Sequence, residues 1–203
     1  DIAPATPPAL EVESLSVPGS VDNVSLSLRP GEIVGVSGLI GSGRTELAQA
    51  LFGMENATAS SFRIAGQDAF PHSVQEAIAH GIAYVPEDRL SEGLFLTQSI
   101  ERNMVVSILD RLRRGLFLDR DAMRQKTEDM FASMQIAAPS PETAVGNLSG
   151  GNAQRVMLGR WLLTGAKVLI LNGPTVGVDV GSKAKIHHII RDLARKEGVA
   201  VLM

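Results

Sequence analysis

Several residue types and patterns are scarce or missing in this chain of 203 residues. The chain has no cysteine, which rules out a disulfide framework and thiol chemistry. Aromatic residues make up only 4% of it, so the core is predicted to be aliphatic. The sequence contains no apolar run long enough to span a membrane and no signal peptide. These absences predict a soluble protein, cytoplasmic by default.

An excess of basic residues is also missing. Lysine and arginine together number 19, against 22 aspartate and glutamate residues, which gives a net charge of −3. This balance does not favour nucleic-acid binding, which usually needs a basic surface. The length and the hydrophobic fraction of 44% predict one domain, or a domain with a subdomain, that has a core of its own.

The two ends of the chain have features of a fragment. Residues 1–9 are rich in proline and alanine, a composition typical of a linker. The chain closes on the apolar residues 199–203, which have the pattern of a buried strand. We therefore expect a domain before this chain and a continuation after it.

Short apolar runs alternate with helical patterns, which indicates parallel strands covered on both faces. The four runs are residues 33–36, 82–85, 168–171 and 199–203. Residues 10–17 and 21–28 instead predict two antiparallel strands, because the second segment alternates apolar and polar side chains.

The stretch between the second and third runs is predicted to be mainly helical. The predicted N-caps of the chain are Ser73, Ser99, Asp119 and Ser149. The helix after Ser99 is predicted to reach Leu109, and the helix after Ser149 to end near Leu163. A last helix is predicted over residues 182–196. The chain thus divides into a linker (1–9), an α/β core with an antiparallel β subdomain (10–96 and 165–203) and a helical subdomain (97–164).

A glycine-rich segment follows the first apolar run and precedes a helix. Its residues are Gly38, Leu39, Ile40, Gly41, Ser42, Gly43, Arg44 and Thr45. The segment matches the phosphate-binding pattern G-x-x-x-x-G-K-[ST] except at Arg44, where a lysine is expected. Successive backbone N–H groups of such a loop point into one concavity that suits phosphate oxygens. Arg44 keeps the positive charge but is bulkier and forked, and Thr45 keeps the hydroxyl that would bind Mg²⁺.

A second segment combines a helix start with two glycines. Its residues are Leu148, Ser149, Gly150, Gly151 and Asn152. A helix N-terminus carries unsatisfied N–H groups and partial positive charge. The glycines would let a phosphate from another molecule approach that backbone closely.

Together these segments resemble the phosphate loop and the signature motif of ATP-binding-cassette ATPases. The resemblance covers the chain from about Ala9 to its end. It implies a P-loop NTPase (RecA-like) α/β fold with a mainly parallel core, an antiparallel β subdomain and an inserted α-helical subdomain. In that family two cassettes stack head to tail, and each ATP lies between the phosphate loop of one and the signature of the other.

The resemblance also assigns individual positions, and two of them depart from the family pattern. Asn172 stands where the family has an Mg²⁺-binding aspartate, and Gly173 where it has the catalytic glutamate. No catalytic residue is therefore intact, and Thr45 and Asn172 remain as the implied Mg²⁺ ligands. Glu87 occupies the Q-loop position, and Asp179 falls in the loop that faces the partner cassette.

The segment around Glu87 and the phosphate loop are similar to those of second cassettes in ribose-, galactose- and xylose-type importers. This similarity implies an ATPase subunit, with ATP and Mg²⁺ as cofactors, in which this half is weak or inactive. The implied partners are the preceding cassette of the same polypeptide, transmembrane permease subunits and, indirectly, a periplasmic sugar-binding protein, with no nucleic acid. The implied location is the cytoplasmic face of a bacterial inner membrane.

Two other classes of function stay open at this point. An autonomous cassette of a non-transport ABC protein that acts on nucleic acid would hydrolyse ATP by itself and would carry basic arms or charged linkers. A non-hydrolysing interaction module would show no effect of ATP on its melting temperature.

Overall fold

The computed structural model describes residues 7–203, and it divides into two compact units. The first unit contains the chain up to Tyr84, Ala166–Gly173 and His188–Met203. The second contains Val85–Gly165 and Pro174–His187. Most of the predicted linker, residues 1–6, lies outside the described residues, and the predicted domain boundaries stay predictions.

The first unit contains an antiparallel sheet, as the alternating pattern predicted. Its strands are β1 (Leu10–Val17), β2 (Val21–Leu28), β4 (Ser61–Ile64) and β5 (Gln67–Asp68), in the spatial order β2-β1-β4-β5. The register pairs Leu10 with both Leu28 and Ile64. All three side chains are buried, so the pairing is fixed by the apolar face that they share.

The same unit contains a second sheet, which is formed by the four apolar runs. Its strands are β3 (Ile33–Val34), β10 (Ala200–Leu202), β9 (Val168–Leu171) and β6 (Ile82–Val85), in that spatial order. Strand β10 pairs in parallel with both β3 and β9. Every residue of β6, β9 and β10 is buried, which explains why their sequences are continuously apolar rather than alternating.

The helices of the first unit bury apolar side chains. They are α1 (Arg44–Leu51), α2 (Val74–Ala79) and the C-terminal part of α6 (Val180–Glu197). Ser73 caps α2 as predicted, because its side chain accepts the N–H of Glu76. In this part of α6, the side chains of Ile190, Leu193 and Ala194 recur on one stripe and are buried.

The second unit is mainly helical, as predicted. It contains α3 (Ile100–Val105), α4 (Arg120–Ser133), α5 (Gly150–Leu163) and a hairpin of β7 (Arg113–Arg114) and β8 (Phe117–Leu118). Ser99, Asp119 and Ser149 are the N-caps of the three helices. The predicted caps are therefore confirmed, since each side chain accepts an N–H from the first turn.

Two predicted helix boundaries are wrong. The helix after Ser99 ends at Val105 and continues as a 3-10 helix over Val106–Leu112, instead of remaining α-helical to Leu109. Val105 and Val106 are both β-branched, which weakens an α-helix at this point. Helix α6 begins at Val180, two residues before the predicted start. Among residues 7–203, no helix combines the length and the apolar character needed to cross a bilayer.

Candidate functional site

The glycine-rich segment of the first unit lies between β3 and α1. It connects the end of the parallel strand to the first turn of the helix, as the strand–loop–helix pattern predicted. The side chains of Leu39 and Ile40 are 86% and 102% exposed, so they do not contribute to the core. The loop is therefore held by its backbone rather than by its apolar residues.

Two glycines of the loop adopt a left-handed backbone that favours glycine. Gly41 has a φ of 77°, and Gly43, the N-cap of α1, has a φ of 82°. A Cβ at Gly43 would also collide with the carbonyl oxygen of Ser20, whereas a Cβ at Gly41 would meet nothing within 4 Å. Gly43 is thus needed for both its conformation and its lack of a side chain.

The structure brings Thr45 and Asn172 into direct contact. Thr45 lies in the first turn of α1, and Asn172 follows the last residue of β9. The Nδ2 group of Asn172 donates to Oγ1 of Thr45 over 3.1 Å. A small cavity beside this pair is lined by residues that include Arg44 and Gly173. The predicted loop and the predicted Mg²⁺ ligands therefore meet at one edge of the parallel sheet.

The chemistry of this edge differs from that of a strong metal site. Thr45 and Asn172 offer a hydroxyl and an amide oxygen, both neutral, whereas Mg²⁺ in proteins is usually held by one or two carboxylates and by substrate phosphates. No group of three or more histidine, cysteine, aspartate or glutamate residues able to hold a metal ion occurs in the described part of the chain. Gly173 has a φ of 61° and adds no side chain.

The signature segment lies in the second unit, at the start of α5. The Oγ atom of Ser149 accepts hydrogen bonds from the backbone N–H and the Nδ2 group of Asn152. Asn152 also accepts the N–H of Ala137 at 3.0 Å, so its side chain joins the helix start to the segment after α4. Ser149 is exposed, and Leu148 is half-buried just before it.

The two glycines of the signature each lie against a residue of the same unit. A Cβ at Gly150 would lie 2.7 Å from Nη2 of Arg89, and a Cβ at Gly151 would collide with the side chain of Ser182. The absence of side chains at these positions therefore has an internal reason, in addition to the approach of a phosphate that the sequence suggested.

The segment after β6 begins with the predicted Q-loop residue. Glu87 is exposed, and Asp88 caps a short π-helix over Arg89–Gly93. Oδ1 of Asp88 accepts the N–H groups of Leu90 and Ser91. Hydrogen bonds from Ser91 and Leu90 hold the pKa of the Asp88 carboxyl below its ordinary value.

Asp179 lies exposed at the start of α6. Its Oδ1 atom accepts the N–H of Ser182 at 2.9 Å. Hydrogen bonds from the side chain and the backbone of Ser182 lower the pKa of the Asp179 carboxyl. The carboxylate therefore stays ionised well below neutral pH and stabilises the helix start.

Sequence reasoning missed the buried arginines of the second unit. Arg160 donates to the carbonyl oxygen and Oδ1 of Asn103 and to the carbonyl oxygen of Gly93. Its burial lowers the pKa of the guanidinium to about 10. Arg89 donates to the carbonyl oxygens of Val176 and Gly177. The available signal was an arginine within an otherwise apolar helical stretch, at residues 156–163.

Solved structures with the same fold are ATP-binding cassettes. The structure of CbiO1 from Clostridium perfringens, part of the ABC transporter complex CbiONQ, superposes with a TM-score of 0.78 at 19% identity. It covers 97% of this chain and 77% of its own. A dimeric structure of the cassette MJ0796 bound to ADP and Pi has a TM-score of 0.76 at 18% identity and covers 95% of this chain and 86% of its own. At these identities the comparison defines the fold class, a P-loop NTPase of the cassette type.

The sequence comparison defines the family. The family model described as ABC transporter matches residues 21–176, and the chain belongs to this family as an ATPase domain. A putative ribose/galactose/methyl galactoside import ATP-binding protein 1 of Rhizobium etli is 44% identical over 194 residues. The ribose import ATP-binding protein RbsA of Yersinia pestis bv. Antiqua is 42% identical over 194 residues. Both matches cover 96% of this chain, which spans 37% and 38% of the length of these relatives.

Proposed function

We propose that this chain is the second nucleotide-binding domain of a tandem ABC ATPase subunit that drives monosaccharide import into bacteria. The names of relatives that are 42–44% identical support a sugar importer. The chain matches less than two fifths of their length, which leaves room in those proteins for another domain of similar size. Permease subunits are then its direct transport partners, at the cytoplasmic face of the inner membrane, and a periplasmic sugar-binding protein is an indirect one.

The site built on the chain's own phosphate loop is proposed to bind ATP and to hydrolyse it poorly. The observation that carries this proposal is the hydrogen bond from Asn172 to Thr45. An aspartate here would add negative charge beside the hydroxyl and could accept a hydrogen bond from it, whereas the asparagine amide donates to the hydroxyl instead. The two residues that would hold Mg²⁺ are thus neutral and already joined to each other.

The second departure from the family pattern, at Gly173, removes the general base. Gly173 supplies no carboxylate where the family has its glutamate, and positioned general acid–base catalysis typically contributes about 10²–10⁴ in rate. Its φ of 61° lies in the left-handed region, so a glutamate could enter only with backbone strain. The backbone N–H groups of residues 38–45 and the charge of Arg44 would still hold the phosphates of ATP. Bound Mg²⁺ would neutralise charge on those phosphates.

The signature of this chain is proposed to complete the ATP site of the preceding cassette. Ser149 is exposed at the N-terminus of a 14-residue helix, where N–H groups and the helix dipole favour an anion. Asp179 is likewise exposed and remains ionised. Glu87, exposed after β6, is proposed to contact the permease.

Steady-state ATP turnover of the full-length subunit tests this proposal. Ser149→Arg places a long side chain at the helix start, and we expect turnover to fall by at least about 10², the usual effect of displacing groups from a reacting centre. The matched control is Ser73→Arg, which removes the same kind of cap from α2. Equal turnover in the two variants would refute the donated signature.

A second candidate is a module that neither binds nor hydrolyses ATP. The observation that favours it is the same hydrogen bond, because the Thr45 hydroxyl that would bind Mg²⁺ already accepts from Asn172. The melting temperature of the chain with and without MgATP separates the two functions, since ligand binding to the folded state raises it. A rise supports the nucleotide-binding domain, and no change at millimolar ATP supports the module.

A further inference from the structure

The side chain of Arg89 lies where three segments of the second unit meet that are far apart in the sequence. They are the segment of Arg89 itself, the start of α5 and residues 176–177. The Nη1 group of Arg89 donates to the carbonyl oxygen of Val176 at 2.7 Å, and its Nη2 group to that of Gly177 at 3.1 Å. The side chain is only 8% exposed. The guanidinium thus binds two consecutive carbonyls of the loop that precedes Asp179.

The first turn of α5 touches the same loop and the same guanidinium. Gly150 lies so close that a Cβ there would be 2.7 Å from Nη2 of Arg89 and 3.2 Å from the carbonyl oxygen of Gly177. The next residue, Gly151, packs against the side chain of Ser182. Ser182 in turn donates its N–H to Asp179. The start of the signature helix and the segment 176–182 therefore meet at two points.

The backbone of Arg89 is itself held in place. It is the first residue of the π-helix Arg89–Gly93, which Asp88 caps through two N–H groups. Within residues 7–203, Arg89 forms no ion pair, so backbone carbonyls are its polar partners. A planar fork matches two adjacent acceptors with two separate nitrogens, whereas a lysine offers a single nitrogen on a flexible stem.

We infer that Arg89 is a positioning residue that holds the start of α5 and the segment 176–182 in one fixed arrangement. This inference rests on the proposed function, in which Ser149–Gly151 complete the ATP site of the preceding cassette and the loop of Asp179 faces that cassette. Arg89 does not contact that nucleotide. It sets the spacing of the two segments that face the preceding cassette, and an error of about 1 Å in such spacing can cost about 10² in rate.

Amide hydrogen exchange in the chain tests the structural half of the inference. The N–H groups of Ser182 and Lys183 donate to the side chain and the carbonyl of Asp179, so their exchange reports on the order of this segment. Arg89→Ala is expected to speed their exchange by roughly tenfold or more, since hydrogen bonds from a charged donor are among the stronger ones. Arg89→Lys is expected to give an intermediate increase.

The matched control is Arg111→Ala. Arg111 also donates to a backbone carbonyl of the second unit, that of Thr164 at 2.7 Å, but it is not joined to segment 176–182. It should leave the exchange of Ser182 and Lys183 unchanged. Unchanged exchange in folded Arg89→Ala, or equal acceleration in the control, would overturn the inference. If Arg89→Ala does not fold, Arg89→Lys carries the same test, because it keeps the charge and removes the planar fork.

Turnover of the full-length subunit tests the functional half. Arg89→Ala is expected to lower kcat by about tenfold or more with a smaller change in KM, because the nucleotide is held mainly by the other cassette. Added guanidinium ion should restore part of the kcat of Arg89→Ala and none of that of Ser149→Arg. A purely structural role of Arg89 would not give this rescue.

The outcomes separate this inference from the proposed function. If Ser149→Arg lowers turnover and Arg89→Ala does not, the positioning role is wrong and the proposed function stands. If exchange accelerates in Arg89→Ala while neither variant affects turnover, the proposed function is wrong and only the structural link remains.

Discussion

The side-chain amide of Asn172 donates to the hydroxyl of Thr45 across 3.1 Å, between the end of β9 and the first turn of α1. This contact joins the two positions that the family resemblance assigns to Mg²⁺. It replaces a negative charge with a neutral donor. The proposed weak hydrolysis at the chain's own phosphate loop follows from this loss of negative charge.

Asn172→Asp is therefore expected to strengthen Mg²⁺-dependent ATP binding by the chain. We expect roughly tenfold tighter binding, because Mg²⁺ affinity rises with the charge of its ligands. Titration calorimetry with and without Mg²⁺ measures the effect. Asn56→Asp makes the same charge change at an exposed position and is expected to have no effect. A gain of the same size in both variants would contradict the assignment.

The two left-handed glycines of the phosphate loop are expected to differ in their tolerance of alanine. Gly41→Ala should lower the free energy of unfolding by about 1–2 kcal/mol, the cost of a left-handed L-residue. Gly43→Ala should cost at least about 1 kcal/mol more, because the new methyl group would also collide with the carbonyl of Ser20. Denaturant unfolding measures both, and equal losses would refute the close contact at Gly43.

Arg160 is expected to be important for the stability of the second unit. Arg160→Met removes the arginine donor from the buried carbonyls of Gly93 and Asn103, whereas the Oδ1 atom of Asn103 keeps the N–H of Phe95 as a donor. The expected loss is about 3 kcal/mol, since each buried acceptor left unpaired costs about 1–3 kcal/mol and removal of the buried charge offsets part of this. Arg102→Met, at an exposed arginine, should change stability by at most about 0.5 kcal/mol. Similar unfolding midpoints for the two variants would be inconsistent with this network.

The lowered pKa of Asp179 predicts how the stability of the chain depends on pH. Its pKa is lowered in the folded state, so its contribution is present above the ordinary value of 3.8 and is lost as the pH falls through the lowered pKa. The difference in melting temperature between the chain and Asp179→Ala should therefore be constant near neutral pH and shrink below about pH 4. A difference that stays constant down to pH 2.5, if the chain remains folded there, would contradict the hydrogen bonds from Ser182.

Local signals in the sequence predicted much of the fold. The N-caps Ser73, Ser99, Asp119 and Ser149 were correct because a capping side chain satisfies backbone N–H groups within its own first turn. The continuously apolar runs indicated the parallel sheet, because burial of a strand on both faces leaves no alternation of apolar and polar residues.

Contacts between distant parts of the chain could not be predicted in this way. The hairpin of β7 and β8 has two-residue strands with exposed side chains, so no apolar alternation marked it. The partners of Arg89 lie 87 and 88 residues away in the chain, and those of Arg160 57 and 67 residues away. The phosphate loop and the signature motif were recognised by residue type and spacing, but the internal packing of Gly150 and Gly151 needed coordinates.

The most direct test of the central claim compares ATP turnover of the full-length subunit with Ser149→Arg and with Thr45→Ala. Ser149 belongs to the signature proposed for the other cassette's ATP, and Thr45 to the chain's own site. The account predicts that Ser149→Arg lowers turnover by the larger factor, by at least about 10². A larger loss from Thr45→Ala would contradict it, because hydrolysis would then depend on the site that Asn172 and Gly173 are proposed to weaken.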